Sequence, residues 1–302
     1  MPVDPAKLAI LQKLLAGAQL PALPQSAIRV LELSRNEENG PSEFAVPMEA
    51  DPGLTAQVLK FVNSSYFGFS HEISSVRQAI SLVGVRTVKN FVLWNAVFSL
   101  MPNSKSGQFD IRMLWQDSLR RAILARRVGK RLRLPEAEDL FAAALLQDMA
   151  IPVLAKEKPA DYCELFAARD DGSQRLSQLE FDRFGWNHAI AAVVLAAQWK
   201  LPKEMVELIA MHTMAVETAG TVMGPRACVV LSSLLPASVD AHWVELPAFE
   251  TLFERLFPSG GVNLLELLTE TDGDFKEFAP VLNLASPGKS LADRYRACSA
   301  TV

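Results

Sequence analysis

The stretch from Leu114 to Arg133 carries the densest chemistry in the chain. On a helical wheel turning about 100° per residue, Asp117, Arg121, Leu124 and Val128 fall on one face. That face is apolar and is expected to point inward. An acid and a base four residues apart on a helix can meet as an ion pair. Burial makes such pairing necessary, because an unpaired buried charge is costly. The competing reading is that Arg121 runs its head out to solvent along its own stem.

The other side of the same helix presents Arg120, Arg126, Arg127, Lys130, Arg131 and Arg133. From Arg120 to Arg133 there are seven basic residues, Arg121 included, and no acidic one. Such a face suits an anion or a partner: an acidic protein surface, a nucleotide, or nucleic-acid phosphate. The alternative is a solvated helix face, balanced in part by Glu136, Glu138 and Asp139. No aromatic residue interleaves with the basic ones, so a surface for stacking single strands is not expected, and nucleic acid is not an expected partner.

Other chemistries find no support. No glycine-rich loop of the phosphate-cradling or dinucleotide type is present, and Gly-x-Ser-x-Gly is absent. The three cysteines (Cys163, Cys228, Cys298) and four histidines show no zinc-finger spacing. The cysteines read as free thiols in a reducing cytoplasm. His71 and His242 stand alone and read as surface loop residues. No cofactor is expected.

The elements that must position these residues are helical throughout. Leu8, Leu11, Leu14 and Leu15 form an apolar stripe at helical spacing, and Ile28, Leu31 and Leu33 continue it. Asp51-Pro52 reads as a capped helix start running to Val62. Two further helices are expected over 75–82 and 86–100, broken at Gly84. The clearest linker is Met101-Pro102-Asn103-Ser104-Lys105-Ser106-Gly107. After it, helices are expected near 110–132, 136–156, 159–170, 173–183, 187–198 and 202–214. Beyond them, 221–235, 243–257, 263–271 and 291–298 read as helical. This divides the chain into an N-terminal lobe (1–105), a second lobe (106–215) and a C-terminal helical extension (216–302). With 302 residues, half of them hydrophobic, there is ample apolar side chain for one large core or two modest ones. The net charge of -4 gives no global case for nucleic acid or membrane. No apolar run approaches the ~20 residues needed to span a bilayer, and the start of the chain lacks the basic residues of a signal peptide. A cytoplasmic location is expected.

Several segments follow one another in a telling order. They are Leu20-Pro21-Ala22-Leu23-Pro24, Asp51-Pro52-Gly53-Leu54-Thr55, Val62-Asn63-Ser64-Ser65-Tyr66-Phe67-Gly68 and Ala79-Ile80-Ser81-Leu82-Val83-Gly84. Then come Leu114-Trp115-Gln116-Asp117-Ser118, Ala144-Leu145-Leu146-Gln147-Asp148-Met149-Ala150, Gly185-Trp186-Asn187-His188-Ala189 and Ile209-Ala210-Met211-His212. Together they resemble the bacterial HDOD family, the HD-related output domain, from about Leu20 to about Met214. The resemblance implies an all-α, two-lobed domain used in signal transduction, related to HD-type metal-dependent phosphohydrolases and here carrying extra C-terminal helices. It also implies a degraded metal site. An active HD enzyme offers a His in the first of the last four segments, His-Asp in the second, and a final Asp on a later helix. Here those places hold Asp117, Gln147-Asp148 and the run Leu231-Ser232-Ser233. Asp148, His188 and His212 remain as positions at which a transition metal could bind; the alternative is that both histidines are hydrogen-bonded scaffold residues. No bound metal is expected. Arg121 is expected to fill the space a metal would take, held by Asp117 and Asp148.

Within the resemblance, Asn63 and Ser64 are expected to cap a helix end. Tyr66, Phe67 and Phe69 are expected to pack between the lobes or to form an apolar patch. Trp115 and Trp199 read as core, and Trp186 as a shield over the old site. The functional expectation is a non-catalytic regulatory domain acting on a protein partner or a small ligand such as a nucleotide. The alternative is a degenerate phosphohydrolase or cyclic-dinucleotide phosphodiesterase.

Overall fold

The computed structural model describes residues 3–102, 109–214, 222–258 and 260–299. Among these residues there are helices and connecting turns and no β-strand. The N-terminal lobe contains α1 (Pro5–Gly17), α2 (Gln25–Leu33), α3 (Pro41–Glu49), α4 (Pro52–Val62), α5 (Val76–Val83) and α6 (Val85–Leu100). Its helix starts are written in side chains. Asp51 caps α4 by accepting from Leu54 N at 3.0 Å, and Ser75 caps α5 by accepting from Gln78 N at 3.2 Å. Helix α3 has no counterpart in the sequence reading. It begins at Gly40-Pro41, where Glu43 reaches back to Gly40 N at 2.9 Å. Most of the expected linker, 103–107, lies outside the described residues.

The second lobe is built on α7 (Ile111–Arg131), followed by α8 (Ala137–Leu146), α9 (Ile151–Glu157), α10 (Pro159–Ala168), α11 (Leu176–Phe184), α12 (His188–Gln198) and α13 (Lys203–Met211). The helix expected over 136–156 is interrupted at Gln147–Ala150. There the backbone tightens, with Met149 N donating to Leu146 O and Ile151 N to Asp148 O, both at 3.0 Å. Pro152 supplies the reason: inside a continuous helix its ring would meet the carbonyl of Asp148. The break sets Asp148 at a corner between two helices. Helices α7 and α8 pack so closely that a Cβ on Gly129 would lie 2.6 Å from Leu140 Cδ1.

The C-terminal extension comprises α14 (Gly224–Ser233), α15 (Leu246–Leu256), α16 (Leu264–Phe278) and α17 (Leu291–Ser299). Helix α16 runs well past the expected end at Thr271. Its continuation buries Phe275 and Phe278, and that packing overrides the cost of Gly273 in the helix. Both α14 and α16 lie against α7. Phe278 meets the rings of Phe61 and Tyr66 from the first lobe at 5.6 and 5.4 Å, and Phe141 from the second at 5.3 Å. These C-terminal helices therefore share one core with the helices before them.

Candidate functional site

Helix α7 carries Asp117 and Arg121 inward, beside fully buried Leu124 and Val128. The corner after α8 presents Gln147 and Asp148. Gly185 closes α11 in a left-handed conformation (φ 75°), which a Cβ would disfavour. The chain can then turn at once into α12, whose N-cap is Asn187: its Oδ1 accepts from Ile190 N at 3.2 Å. His188 is thereby the first residue of α12. His212 follows the last turn of α13.

These elements converge on Asp148. Arg121 Nη1 lies 2.5 Å from Asp148 Oδ2, while His188 Nε2 and His212 Nε2 each lie 3.4 Å from Oδ1. The two imidazole centroids are 5.1 Å apart. Gln147 Nε2 donates weakly to Asp148 Oδ2 at 3.4 Å. Asp117 takes another partner: its Oδ1 accepts from Ser238 N at 2.9 Å and from the Ser238 hydroxyl. Arg121 is thus bonded by Asp148, and Asp117 acts on it through its field alone. In the run Leu231-Ser232-Ser233, where the resemblance implies a final Asp in an active enzyme, both serine hydroxyls are spent on the helix backbone, on Val229 O and Val230 O at 2.8 Å.

Glu180 on α11 had no role in the sequence reading, yet it organises the site. It is fully buried. Its Oε2 accepts from His188 N at 2.8 Å and lies 2.6 Å from His188 Nδ1, and its Oε1 accepts from Tyr162 OH at 2.6 Å. Spacing from Asn187 gives no hint of this, because Glu180 sits on the preceding helix. The one sequence signal is an acid inside the apolar pattern of α11.

Electrostatics follow from these contacts. Burial alone would raise the Asp148 carboxyl, but Arg121 above all, with His188, holds it well below the usual range. Burial disfavours the His188 imidazolium, but Glu180 and Asp148 outweigh it and hold its pKa up at about 9. His212 is pulled below its ordinary value by burial, against the pull of Asp148. Its Nδ1 lies 2.6 Å from Ile209 O, which can only accept, so that nitrogen carries the proton. Its Nε2 is buried and has no hydrogen-bond partner, and neither has Gln147 Oε1. Burial pushes the Asp117 carboxyl up, against Arg121 and Ser238.

Asp148, His188 and His212 place one donor atom each within 4.8 Å of one another. Two imidazoles and a carboxylate form a donor set that transition metals accept. The guanidinium does not fit a dication on the same carboxylate, because two positive charges would share one counter-ion at short range. The residues present therefore do not fit a hydrolytic metal centre. A cavity of about 200 Å³ adjoins the site, lined by Arg121, Asp148, His188 and His212 together with Arg169 and Arg175. Arg169 is held by Asp240, at 2.7 and 2.8 Å, and Arg175 by Glu245 at 2.7 Å. Both carboxylates come from the connection between α14 and α15. Trp186, expected over this cavity, instead stacks on Phe184 at 4.6 Å and is not part of its lining.

Of the basic face of α7, read as an anion or partner surface or as a balanced solvated face, much is covered. Arg120 is 2% exposed; it donates to Lys289 O and lies 3.9 Å from Asp272. Arg127 makes a two-pronged bond to Asp274, at 2.6 and 2.7 Å, and a third contact to Glu270, which Arg131 shares. Arg126 is 3% exposed, between the rings of Tyr66 and Phe141. Lys130 pairs with Glu138 at 3.1 Å, and Arg133 is exposed beyond the helix end. The physical reason is α16, whose acids neutralise this side of α7. Its Glu270, Asp272 and Asp274 were not among the balancing acids read from the sequence.

The profile of the HDOD domain matches residues 20–215, more than half of the chain. The chain belongs to the HDOD family. This HDOD chain is 22% identical over 197 residues to an uncharacterized protein of Treponema pallidum (strain Nichols), covering 63% of the chain and 37% of that protein. It is 31% identical over 105 residues to the uncharacterized protein YuxH of Bacillus subtilis (strain 168), covering 35% and 25%. The match thus spans roughly a third or less of these curated relatives. Among solved structures it is similar to a candidate phosphohydrolase from Shewanella amazonensis SB2B (TM-score 0.66, 20% identity, 92% of this chain and 98% of that one). It is also similar to an HDOD domain protein of unknown function from Geobacter sulfurreducens (TM-score 0.61, 19% identity, 98% and 94%). At these identities the likeness establishes the helical HDOD fold. No helix of the described residues is long and apolar enough to cross a membrane.

Proposed function

We propose that this HDOD domain is a non-catalytic regulatory module whose HD-type site is vestigial. The observation that carries the reading is Arg121 Nη1 at 2.5 Å from Asp148 Oδ2. A fixed cation stands on the one acidic ligand that remains of the HD pair, and Asp117 and Gln147 replace the two missing imidazoles. The module acts in a signalling pathway, in the cytoplasm, through a protein partner or a small ligand. A second reading, a degenerate metal-dependent phosphohydrolase, draws on the partnerless His212 Nε2 and Gln147 Oε1 beside the remaining donors.

Elemental analysis after incubation with zinc, manganese, iron and nickel separates the two. The regulatory reading expects only trace metal in the purified protein and no turnover of cyclic dinucleotides. Near-stoichiometric metal that disappears in His188→Ala and His212→Ala, together with metal-dependent turnover, would overturn it.

A further inference from the structure

A second cleft lies between the lobes, away from Asp148. It has a volume of about 570 Å³, inside the roughly 300–1,000 Å³ typical of small-molecule sites. One wall is the outer side of α7, with Arg126, Arg127, Lys130 and Arg131; the other is the loop after α4 and the end of α5, with Tyr66, Phe67, Phe69 and Leu82. Four cations and two carboxylates, Glu138 and Asp274, line it, so its field favours an anion.

The aromatic wall is held in place by the chain itself. Asn63 clamps the loop: its Nδ2 donates to Ile73 O at 2.8 Å and its Oδ1 accepts from Ile73 N at 2.7 Å. Phe67 and Phe69 stack in parallel, with centroids 6.1 Å apart and planes 5° apart. Phe69 is 37% exposed and Leu82 49%, so an apolar shelf remains open next to the cations. On the basic wall, Arg126 is almost fully buried, yet its Nη2 has no hydrogen-bond partner. Glu138 lies 3.6 Å from its guanidinium, beyond hydrogen-bonding range. Lys130 is more than half exposed, and its pair with Glu138 is of the weak surface kind. Arg127, by contrast, is committed to Asp274 and Glu270 and serves as scaffold.

We propose that this cleft binds a nucleotide, with its base stacked on Phe69 and its phosphates held by Lys130 and Arg126, while Arg131 stays with Glu270. A stacking shelf beside clustered cations is the pairing that a planar base carrying phosphates requires. The site is separate from the Asp148 cluster and does not depend on the function proposed for it.

Titration calorimetry of the full chain with ADP and GDP, against inorganic pyrophosphate, tests the inference. The expected result is binding of a nucleotide that weakens with added salt, with pyrophosphate weaker by about tenfold or more. Phe69→Ala should weaken the nucleotide by about tenfold and leave pyrophosphate unchanged. Lys130→Glu should weaken both. Both residues are exposed, so folding should survive, and helical circular dichroism checks that. Three results would overturn the proposal: no binding of either nucleotide at millimolar concentration, binding indifferent to both substitutions, or pyrophosphate binding as tightly as the nucleotides.

Discussion

Arg121 and Asp148 form a close, partly buried ion pair in which one guanidinium nitrogen approaches Oδ2 at 2.5 Å while two imidazoles face Oδ1. Removing the cation leaves a buried carboxylate without its main partner. Arg121→Met is expected to destabilise the fold by about 3–5 kcal/mol. Adding Asp148→Asn should recover much of that loss. Urea unfolding measures both, and additive costs would show that the two residues are not coupled.

Arg121→Ala also removes the charge that opposes a dication. Zinc is then expected to raise the melting temperature of Arg121→Ala and to leave the wild type unmoved, because only the variant gains a ligand for its native state. Equal shifts in the two proteins would show that Arg121 does not guard the carboxylate.

His188 makes stability depend on pH in a definite direction. Its ordinary pKa is 6.5, and in the fold it is held at about 9. Folding therefore favours the protonated form. That contribution is whole below pH 6.5 and is lost as pH rises to about 9. At most it is roughly 3 kcal/mol. Unfolding free energies followed across this window should fall for the wild type and stay flatter for His188→Asn. Parallel profiles would remove His188 from the account.

Glu180 is the largest force raising His188, acting against burial. Glu180→Gln keeps the shape and still offers an oxygen to Tyr162, but deletes the charge. The His188 pKa should drop by about one unit or more, as read from imidazole NMR shifts against pH. An unchanged titration would mean that Asp148 alone supports the imidazolium.

Phe278 ties the C-terminal extension to both lobes through Phe61, Tyr66 and Phe141. Phe278→Ala should cost about 3–5 kcal/mol. A cost below about 1 kcal/mol would mean that the extension is not part of the cooperative core.

The elements were legible where capping side chains or prolines mark them. Asp51-Pro52, Ser75 and Asn187 each satisfy free N–H groups within their own first turn, so their effect is local and readable. Pro152 breaks the helix expected over 136–156 and sets Asp148 at a corner, and the apolar periodicity of that segment runs through the break without marking it. Helix α16 runs past the expected end at Thr271 because the burial of Phe275 and Phe278 carries it through Gly273, and that burial is a property of the packed fold.

The sequence by itself determined the all-helical class, the family, and the identities of the residues around the Asp148 cluster: Asp117, Arg121, Gln147, Asp148, His188 and His212. Helical periodicity and ordered segments are properties of neighbours along the chain. Tertiary structure alone decided that, of the two acids expected to hold Arg121, only Asp148 bonds it while Asp117 turns to Ser238, that Glu180 grips His188, and that the acids of α16 cover much of α7's basic face. Those pairings join residues 8 to 147 positions apart. Which of several carboxylates meets which cation depends on how the helices pack against one another, and no local pattern encodes that.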